Sequence, residues 1–434
     1  MTPTARLFAL EQFGIKLGLD AMRALLAALG HPHHRWPSLH IAGTNGKGSV
    51  SAMTERALRA AGLRTGRYTS PHLYRLEERV AIDGVDVDPA RFEAALTTVF
   101  AAVDRLLADG TLPHSPTFFE VSTAAAFVVF AEAAVDVAVV EVGLGGRYDA
   151  TNVVTPVAGA IVSIDFDHER HLGSTLAAIA HEKAGIAKAG VPLVVGDVPA
   201  EAWDAIARDG HDAGALVIRA ADEVHVDAPL VDGHARLSLR TPAGDYGPMR
   251  LALAGTHQAG NAVVAVRLLE TFATRSGRAI PRAAVETGLA DARWPARLEW
   301  LVRGDARVLV DAAHNPAGAR GLASYLAMAA VPPVTLVTSV MADKDVANVL
   351  APLLPHAAAV IATQADTPRA ARAEALAGEI RRLATSGVAV SAEPDARAAV
   401  DQALHQARPV LLAGSIYLVG PLRARLVDQG FRTA

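Results

Sequence analysis

The sequence predicts an α/β protein with two doubly wound domains, and three features carry that expectation. Residues 39–49 read as a buried strand running into a glycine-rich loop, and residues 50–61 follow with helical spacing of apolar side chains. Residues 135–142 form a β-branched run of the kind found in strands covered on both faces. From Leu298 onward, short apolar runs and helical patterns alternate again. The expected domains are residues 1–293 and 297–434, joined at Arg293-Trp294-Pro295-Ala296-Arg297.

Bulk properties narrow the function. The chain has 434 residues, half of them hydrophobic, a formal net charge of −4 and no cysteine. That balance argues against a general nucleic-acid or membrane-surface binder, so basic residues are expected in pockets. Disulfides and thiolate metal sites are excluded, which fits a cytoplasmic protein. The N-terminal 29 residues scatter charges through their length and lack a signal-peptide core. The most apolar region, residues 124–142, is interrupted by Glu132, Asp136 and Glu141, and divides into a helix and a strand better than it spans a membrane.

The first 30 residues suggest a helical prelude broken by a loop over residues 13–19. Next comes the stretch around which the chain is organised, Gly43-Thr44-Asn45-Gly46-Lys47-Gly48-Ser49. Glycines let backbone N–H groups turn inward, the helix adds its positive end, and Lys47 adds a full charge, so the loop suits a polyphosphate. It departs from the common P-loop pattern because Gly48 follows the lysine and the hydroxyl comes at Ser49. Metal ligands are therefore expected from elsewhere.

Residues 65–73 form a short strand ending at Ser70-Pro71, completing a strand–helix–strand unit whose ligands belong at the carboxyl ends of its strands. Residues 80–88 carry a turn at Asp83-Gly84 and residues 89–107 are helical. Thr117-Phe118-Phe119-Glu120 opens an alanine-rich helix; spacing alone favours a capping box over a binding role. Glu141 is the odd member of its β-branched run. A carboxylate there is costly unless it is paired, for instance with Arg147, or bound to a metal. A strand over 157–164 stops at Asp165-Phe166-Asp167-His168, and Lys183 lies on a capped helix over 176–188. Ser70, Glu141 and His168 at neighbouring strand ends could complete one hard-metal site.

Beyond a strand at 191–195, residues 216–253 read as short antiparallel pieces with turns at Asp232-Gly233 and Ala243-Gly244. A helix holding Asn261 runs to Leu269. In the second domain, strands or helices are expected at 307–310, 317–329, 334–340, 346–354, 357–363, 369–384, 388–391, 395–405 and 409–413. Two of its strand ends are polar, Asp311-Ala312-Ala313-His314-Asn315-Pro316 and Gly414-Ser415-Ile416-Tyr417. Both are expected to face the nucleotide across the cleft between the domains.

In this order, these stretches, with Glu77-Glu78-Arg79-Val80, Glu141-Val142-Gly143-Leu144-Gly145-Gly146 and Glu182-Lys183-Ala184-Gly185-Ile186, resemble the folylpolyglutamate synthase and dihydrofolate synthase family, relatives of the Mur peptide ligases. The resemblance covers nearly the whole chain. It implies a P-loop-type ATPase domain, a Rossmann-like second domain, and ATP-dependent joining of L-glutamate to dihydropteroate and to reduced folates through an acyl phosphate. It implies ATP contacts from Thr44, Asn45, Gly46, Lys47, Gly48, Ser49, Asn261, Arg297 and Asp311. Magnesium, expected as two ions, falls to Ser70, Glu141, His168 and a carbamylated Lys183. His314 and Ser415 match the glutamate side, and Lys47, Lys183, His314 and Asp311 are the expected catalytic set. Thr117, Phe118, Phe119 and Glu120 match the dihydropteroate segment, with Tyr148, Asp149 and Ala150 beside it. The family's usual glycine after the aspartate is Ala312 here.

Three alternatives stay open: folylpolyglutamate synthesis alone, another Mur-type amino-acid ligase, or a non-catalytic scaffold on the same fold. A cell-wall ligase would need a further N-terminal domain, and roughly forty residues before the loop are too few for one. A monomer acting on small molecules is the expectation.

Overall fold

The computed structural model describes residues 1–14, 18–384 and 387–434; the loop expected over 13–19 lies partly outside them. The chain forms two compact units. The first comprises residues 1–226, 238–249 and 260–292; the second comprises residues 227–237, 250–259 and 293–434. Two segments that precede Arg293 thus group with the C-terminal residues.

The first unit is built on an eight-stranded sheet of β1 (Ser38–Ala42), β2 (Thr65–Tyr68), β3 (Val80–Ile82), β4 (Val85–Asp86), β5 (Val137–Glu141), β6 (Ala158–Ile161), β7 (Pro192–Val195) and β8 (Leu216–Arg219). Their spatial order is β4-β3-β2-β5-β1-β6-β7-β8. All neighbours are parallel except β2–β3 and β3–β4. β1 and β5 are buried along their whole length, which explains why both read as continuous apolar runs. On one side, Tyr68, Ala138 and Val140 join a core with Phe92, Phe100, Phe127 and Phe130 from the helices Pro89–Ala108 and Phe118–Ala133. Elsewhere Ile161, Leu193 and Val195 pack with Ile179 and Ile206 of the helices Leu176–Ala184 and Ala200–Asp212.

One strand departs from its expected place. Residues 216–219 do not belong to an antiparallel flap: β8 is the parallel edge strand of the large sheet, bonded to β7. Its sequence, Leu-Val-Ile-Arg, was too short to reveal which partner it pairs with. The small sheet holds β9 (His225–Asp227), β10 (Leu230–Val231), β11 (His234–Thr241) and β12 (Gly244–Arg250), in the order β10-β11-β12 with β9 beside β11.

The second unit's sheet has β13 (Glu299–Arg303), β14 (Ala306–Val310), β15 (Val334–Thr338), β16 (Ala357–Gln364), β17 (Ala389–Asp395), β18 (Val410–Ala413) and β19 (Arg432–Thr433), ordered β17-β16-β15-β18-β14-β13-β19. β14 to β18 run parallel, as alternation of strand and helix dictates. β13 and β19 add an antiparallel edge that sequence patterning missed, because β13 returns through a tight turn and β19 is only two residues long. The helix expected from Arg369 starts at Ala373.

Candidate active site

β1 is the central strand from which the site is built. It lies between β5 and β6, with Ile41 opposite Glu141 and Ala42 opposite Ile161. Where it ends, the loop leaves for the helix Lys47–Ala60, whose first N–H groups find no partner inside the helix. The loop is tied to the end of β6: Thr44 N donates to Ser163 O at 2.8 Å, Asn45 N to Ser163 Oγ at 3.0 Å, and Thr44 Oγ1 to Asp165 O at 3.1 Å. Gly46 caps the helix at φ 83°, and a Cβ there would lie 2.5 Å from Asn261 Oδ1. Only glycine fits such a position. Asn261 is thus held against the loop by a helix, His257–Ser276, distant in sequence.

Two lysines converge on one carbonyl. Lys47 Nζ donates to Gly43 O at 3.1 Å and to Thr44 O at 3.3 Å; Lys183 Nζ donates to the same Gly43 O at 3.1 Å. Glu141 Oε1 stands 3.9 Å from Lys47 Nζ and its side chain is 5% exposed. This pairing replaces the Arg147 partner that spacing offered. Burial, then the charge of Lys47, push the Lys183 amine down to about 7, while Asp167 and Asp149 oppose the shift.

Lys183 reaches Gly43 because its helix is docked on the loop that follows β5. Arg147 N donates to Glu182 O at 2.8 Å, and Asn152 Nδ2 donates to Arg147 O and Gly185 O, both at 2.9 Å. Asp149 anchors the same loop. Its carboxylate accepts from Leu144 N at 2.9 Å, from Thr151 N at 3.0 Å and from Thr151 Oγ1, and burial raises its pKa. Tyr148 is exposed beside Arg147, and Ala150 is buried at the start of the short turn Asp149 caps.

Ser70 Oγ is buried and has no hydrogen-bond partner. The loop after it is folded by two motif residues to which sequence reasoning gave no role. Glu78 accepts from Leu73 N, Tyr74 N and Arg75 N, and Arg79 donates to His72 Nδ1 at 2.9 Å while lying 5.1 Å over the Phe118 ring. His168 caps the helix Glu169–Leu172 in a left-handed conformation; its ring is half-exposed, 3.9 Å from Asp167. Asp167, with a 7% exposed side chain and a field felt at Lys183, is a further carboxylate that sequence reasoning passed over.

The capping box at Thr117 forms. Glu120 N donates to Thr117 Oγ1, and Glu120 Oε2 accepts from Thr117 N at 2.7 Å and Thr117 Oγ1 at 2.8 Å. Phe119 projects from this turn toward the loop after β5: a Cβ on Gly143 would lie 2.4 Å from its ring edge. Phe119 also lies 6.1 Å from the Tyr68 ring.

In the second unit, Asp311 is buried and its carboxylate accepts from Leu298 N at 2.9 Å and Ala313 N at 2.8 Å. Burial raises its pKa and the charge of Arg297 opposes that. Ala312 is not among the residues of positive φ, so alanine sits there without strain. His314 Nδ1 lies 2.8 Å from Ala312 O. Ser415 caps the helix Ile416–Asp428 through Tyr417 N, and Gly414 N donates to Ala313 O, tying the two polar strand ends together.

A phosphate-type loop on a parallel sheet, a buried carboxylate one strand away and a second α/β unit define a Mur-type ligase, and comparison with known proteins agrees. Residues 296–416 match the Mur ligase, glutamate ligase domain family. The dihydrofolate synthase/folylpolyglutamate synthase of Bacillus subtilis is 36% identical over 422 residues, 96% of each chain. That of Mycobacterium tuberculosis is 41% identical over 83% of this chain and 76% of its own. Among solved structures, M. tuberculosis folylpolyglutamate synthase complexed with ADP superimposes with a TM-score of 0.89 at 36% identity, covering 98% and 99% of the two chains. E. coli FolC in complex with DHPP and ADP gives 0.85 at 30%, covering 99% and 98%. The chain belongs to the dihydrofolate synthase/folylpolyglutamate synthase family of ATP-dependent, ADP-forming glutamate ligases. Among the described residues, no helix is long and apolar enough to cross a membrane.

Proposed function

We propose that this chain joins L-glutamate to dihydropteroate and to reduced folates, including folate (poly)glutamates. A carboxylate oxygen of the acceptor takes the γ-phosphoryl group of ATP, and ADP departs with the electrons of the broken P–O bond. The glutamate amine then attacks the acyl carbon, loses its proton, and expels phosphate. The observation that carries this reading is the convergence of Lys47 and Lys183 on Gly43 O with Glu141 alongside, in a chain of this family.

Gly46, Gly48 and Ser49 would offer backbone N–H groups to the phosphates, Thr44 and Asn45, whose own N–H groups are held by Ser163, would fix the shape of the nucleotide loop, and Lys47 would balance charge on the transferring group. Asn261, Arg297 and Asp311 are assigned to ATP, and His314 and Ser415 to glutamate. The orphaned Ser70 Oγ and the buried Glu141 carboxylate are hard oxygen donors suited to magnesium, with His168 as a third ligand. Magnesium supplies neutralisation of phosphate charge when bound. A carbamate on Lys183 would turn a buried cation into an anion able to hold a second ion. Phe118, Phe119, Tyr148, Asp149 and Ala150 are assigned with Thr117 and Glu120 to the pteridine-bearing acceptor. A chain without cysteine fits a cytoplasmic setting.

One observation favours a second reading, folylpolyglutamate synthesis alone: Glu120 and Thr117 satisfy each other in the capping box. Glutamate-dependent ADP formation with dihydropteroate and with a reduced folate monoglutamate, products checked by mass, separates the two. Turnover of both establishes the bifunctional enzyme; turnover of the folate alone leaves the second reading, and silence with both overturns the first.

A further inference from the structure

Away from these loops, the turn between the helix Asp20–Ala28 and β1 gathers three imidazoles. Gly30 and His31 are both left-handed, at φ 72° and 52°, and the chain reverses over the end of the helix, with His31 N donating to Leu26 O at 2.8 Å. Pro32 then opens a single 3-10 turn, Pro32–His34, closed by His34 N on His31 O at 3.0 Å. The three rings therefore share one side of a compact turn. His31 and His34 stack with centroids 5.1 Å apart and planes 5° from parallel, and His33 lies 4.1 Å from His34 and 5.8 Å from His31. The His33 ring rests against Phe127, 6.3 Å away, which Trp36 also touches edge-on.

Two observations say what this cluster is for. One ring nitrogen from each histidine lies within 4.8 Å of the others. His33 Nδ1 is also buried with no hydrogen-bond partner, a condition that native structures rarely leave unexplained. Nitrogen ligands of a tetrahedral ion stand about 3.4 Å apart given metal–nitrogen bonds of about 2.0–2.1 Å. His31 and His34 are exposed and can turn by the ångström or so required, while His33 is held by its aromatic floor. Imidazole without carboxylate or thiolate selects zinc, nickel or copper over magnesium or calcium.

We propose that His31, His33 and His34 bind a late first-row divalent cation, Zn2+, through three ring nitrogens with water completing the shell. The site is independent of the magnesium ligands assigned above: it uses other residues and other ligand chemistry. It lies just upstream of β1, so the ion would pin the turn from which the phosphate-loop strand departs.

The test is equilibrium dialysis and calorimetric titration of the full, untagged, chelator-treated chain with zinc chloride in excess magnesium. The wild type should take up one zinc ion at micromolar affinity or better. H31A and H34A, both at exposed positions, should each weaken binding at least tenfold, and H405A should not. Far-UV circular dichroism of the zinc-free variants should match the wild type; if one variant fails to fold, the other carries the result. Absence of binding by the wild type, wild-type affinity retained in both H31A and H34A, or an equivalent lost in H168A but kept in H31A would overturn the proposal.

Discussion

Lys47 and Lys183, 136 positions apart, donate to the same carbonyl oxygen, that of Gly43, at equal distances of 3.1 Å. Burial of the Lys183 amine, and then repulsion from the Lys47 ammonium so close to it, hold Lys183 at about 7 against an ordinary 10.5. At pH 7 its neutral fraction is roughly 1,000-fold or more above that of an exposed lysine.

Carbon dioxide uptake by the Lys183 amine should therefore begin near neutrality. With labelled carbon dioxide, the carbamate signal in the wild type should rise through pH 6 to 8. K47M removes the charge but not the burial, so the same curve should move part of the way to higher pH. An unchanged curve would show that the two lysines do not communicate.

Stability should follow the opposite logic from a buried acid. Unfolded Lys183 binds its proton below about 10.5 and the folded one only below about 7, so between these values unfolding takes up a proton and stability rises with pH. The penalty at pH 7 and below is on the order of 5 kcal/mol. K183M should be inactive yet melt higher than the wild type at pH 7, with the gap narrowing by pH 9. Calorimetry in the absence of nucleotide checks both statements, and a lower melting point for K183M would contradict the assigned shift.

Glu141 balances Lys47 at 3.9 Å while facing the same loop. E141Q keeps the shape and loses the charge. Its glutamate-dependent ADP formation should fall about 100-fold or more, the scale of removing one electrostatic contact from a transition state, with the fold retained by circular dichroism. Near-normal kcat would remove Glu141 from the site.

Phe119 fills the space a side chain on Gly143 would need. G143A should displace the ring and raise KM for the pteridine-bearing acceptor severalfold, leaving KM for ATP unaltered. Its thermal cost should be about 1 kcal/mol, since the ring edge can give. Adding F119L should restore the melting point but not the acceptor KM. Rescue of both would make Phe119 a packing residue only.

The reach of sequence reasoning tracks how local each cause is. Gly43 to Ser49 was legible because a strand, glycines and a helix are written consecutively, and Glu141 because a charge inside a β-branched run has to be explained. The capping box at Thr117 follows from a three-residue spacing and is present. Lys183 was not legible from its own surroundings: its neighbours describe an ordinary helix, and its burial arises where that helix meets Arg147 and Asn152. Asp167, Glu78 and Arg79 escaped for the same reason, since their partners are set by loop folding. The edge strands β8, β13 and β19 escaped because pairing depends on partners whose residues do not mark them.

The register of β1 against β5, with Ile41 opposite Glu141, bears on how this chain can change length. Side chains alternate faces along a strand, so inserting or deleting a single residue in β5 ahead of Glu141 would turn the carboxylate away from the loop and send an apolar neighbour in its place, and the same change in β1 would shift the start of the loop by one strand position. No compensating point mutation nearby could undo that, because both strands are locked between others. Viable insertions should therefore collect in exposed turns such as that at Ala243-Gly244, while the distance from Ser38 to the loop stays constant to the residue.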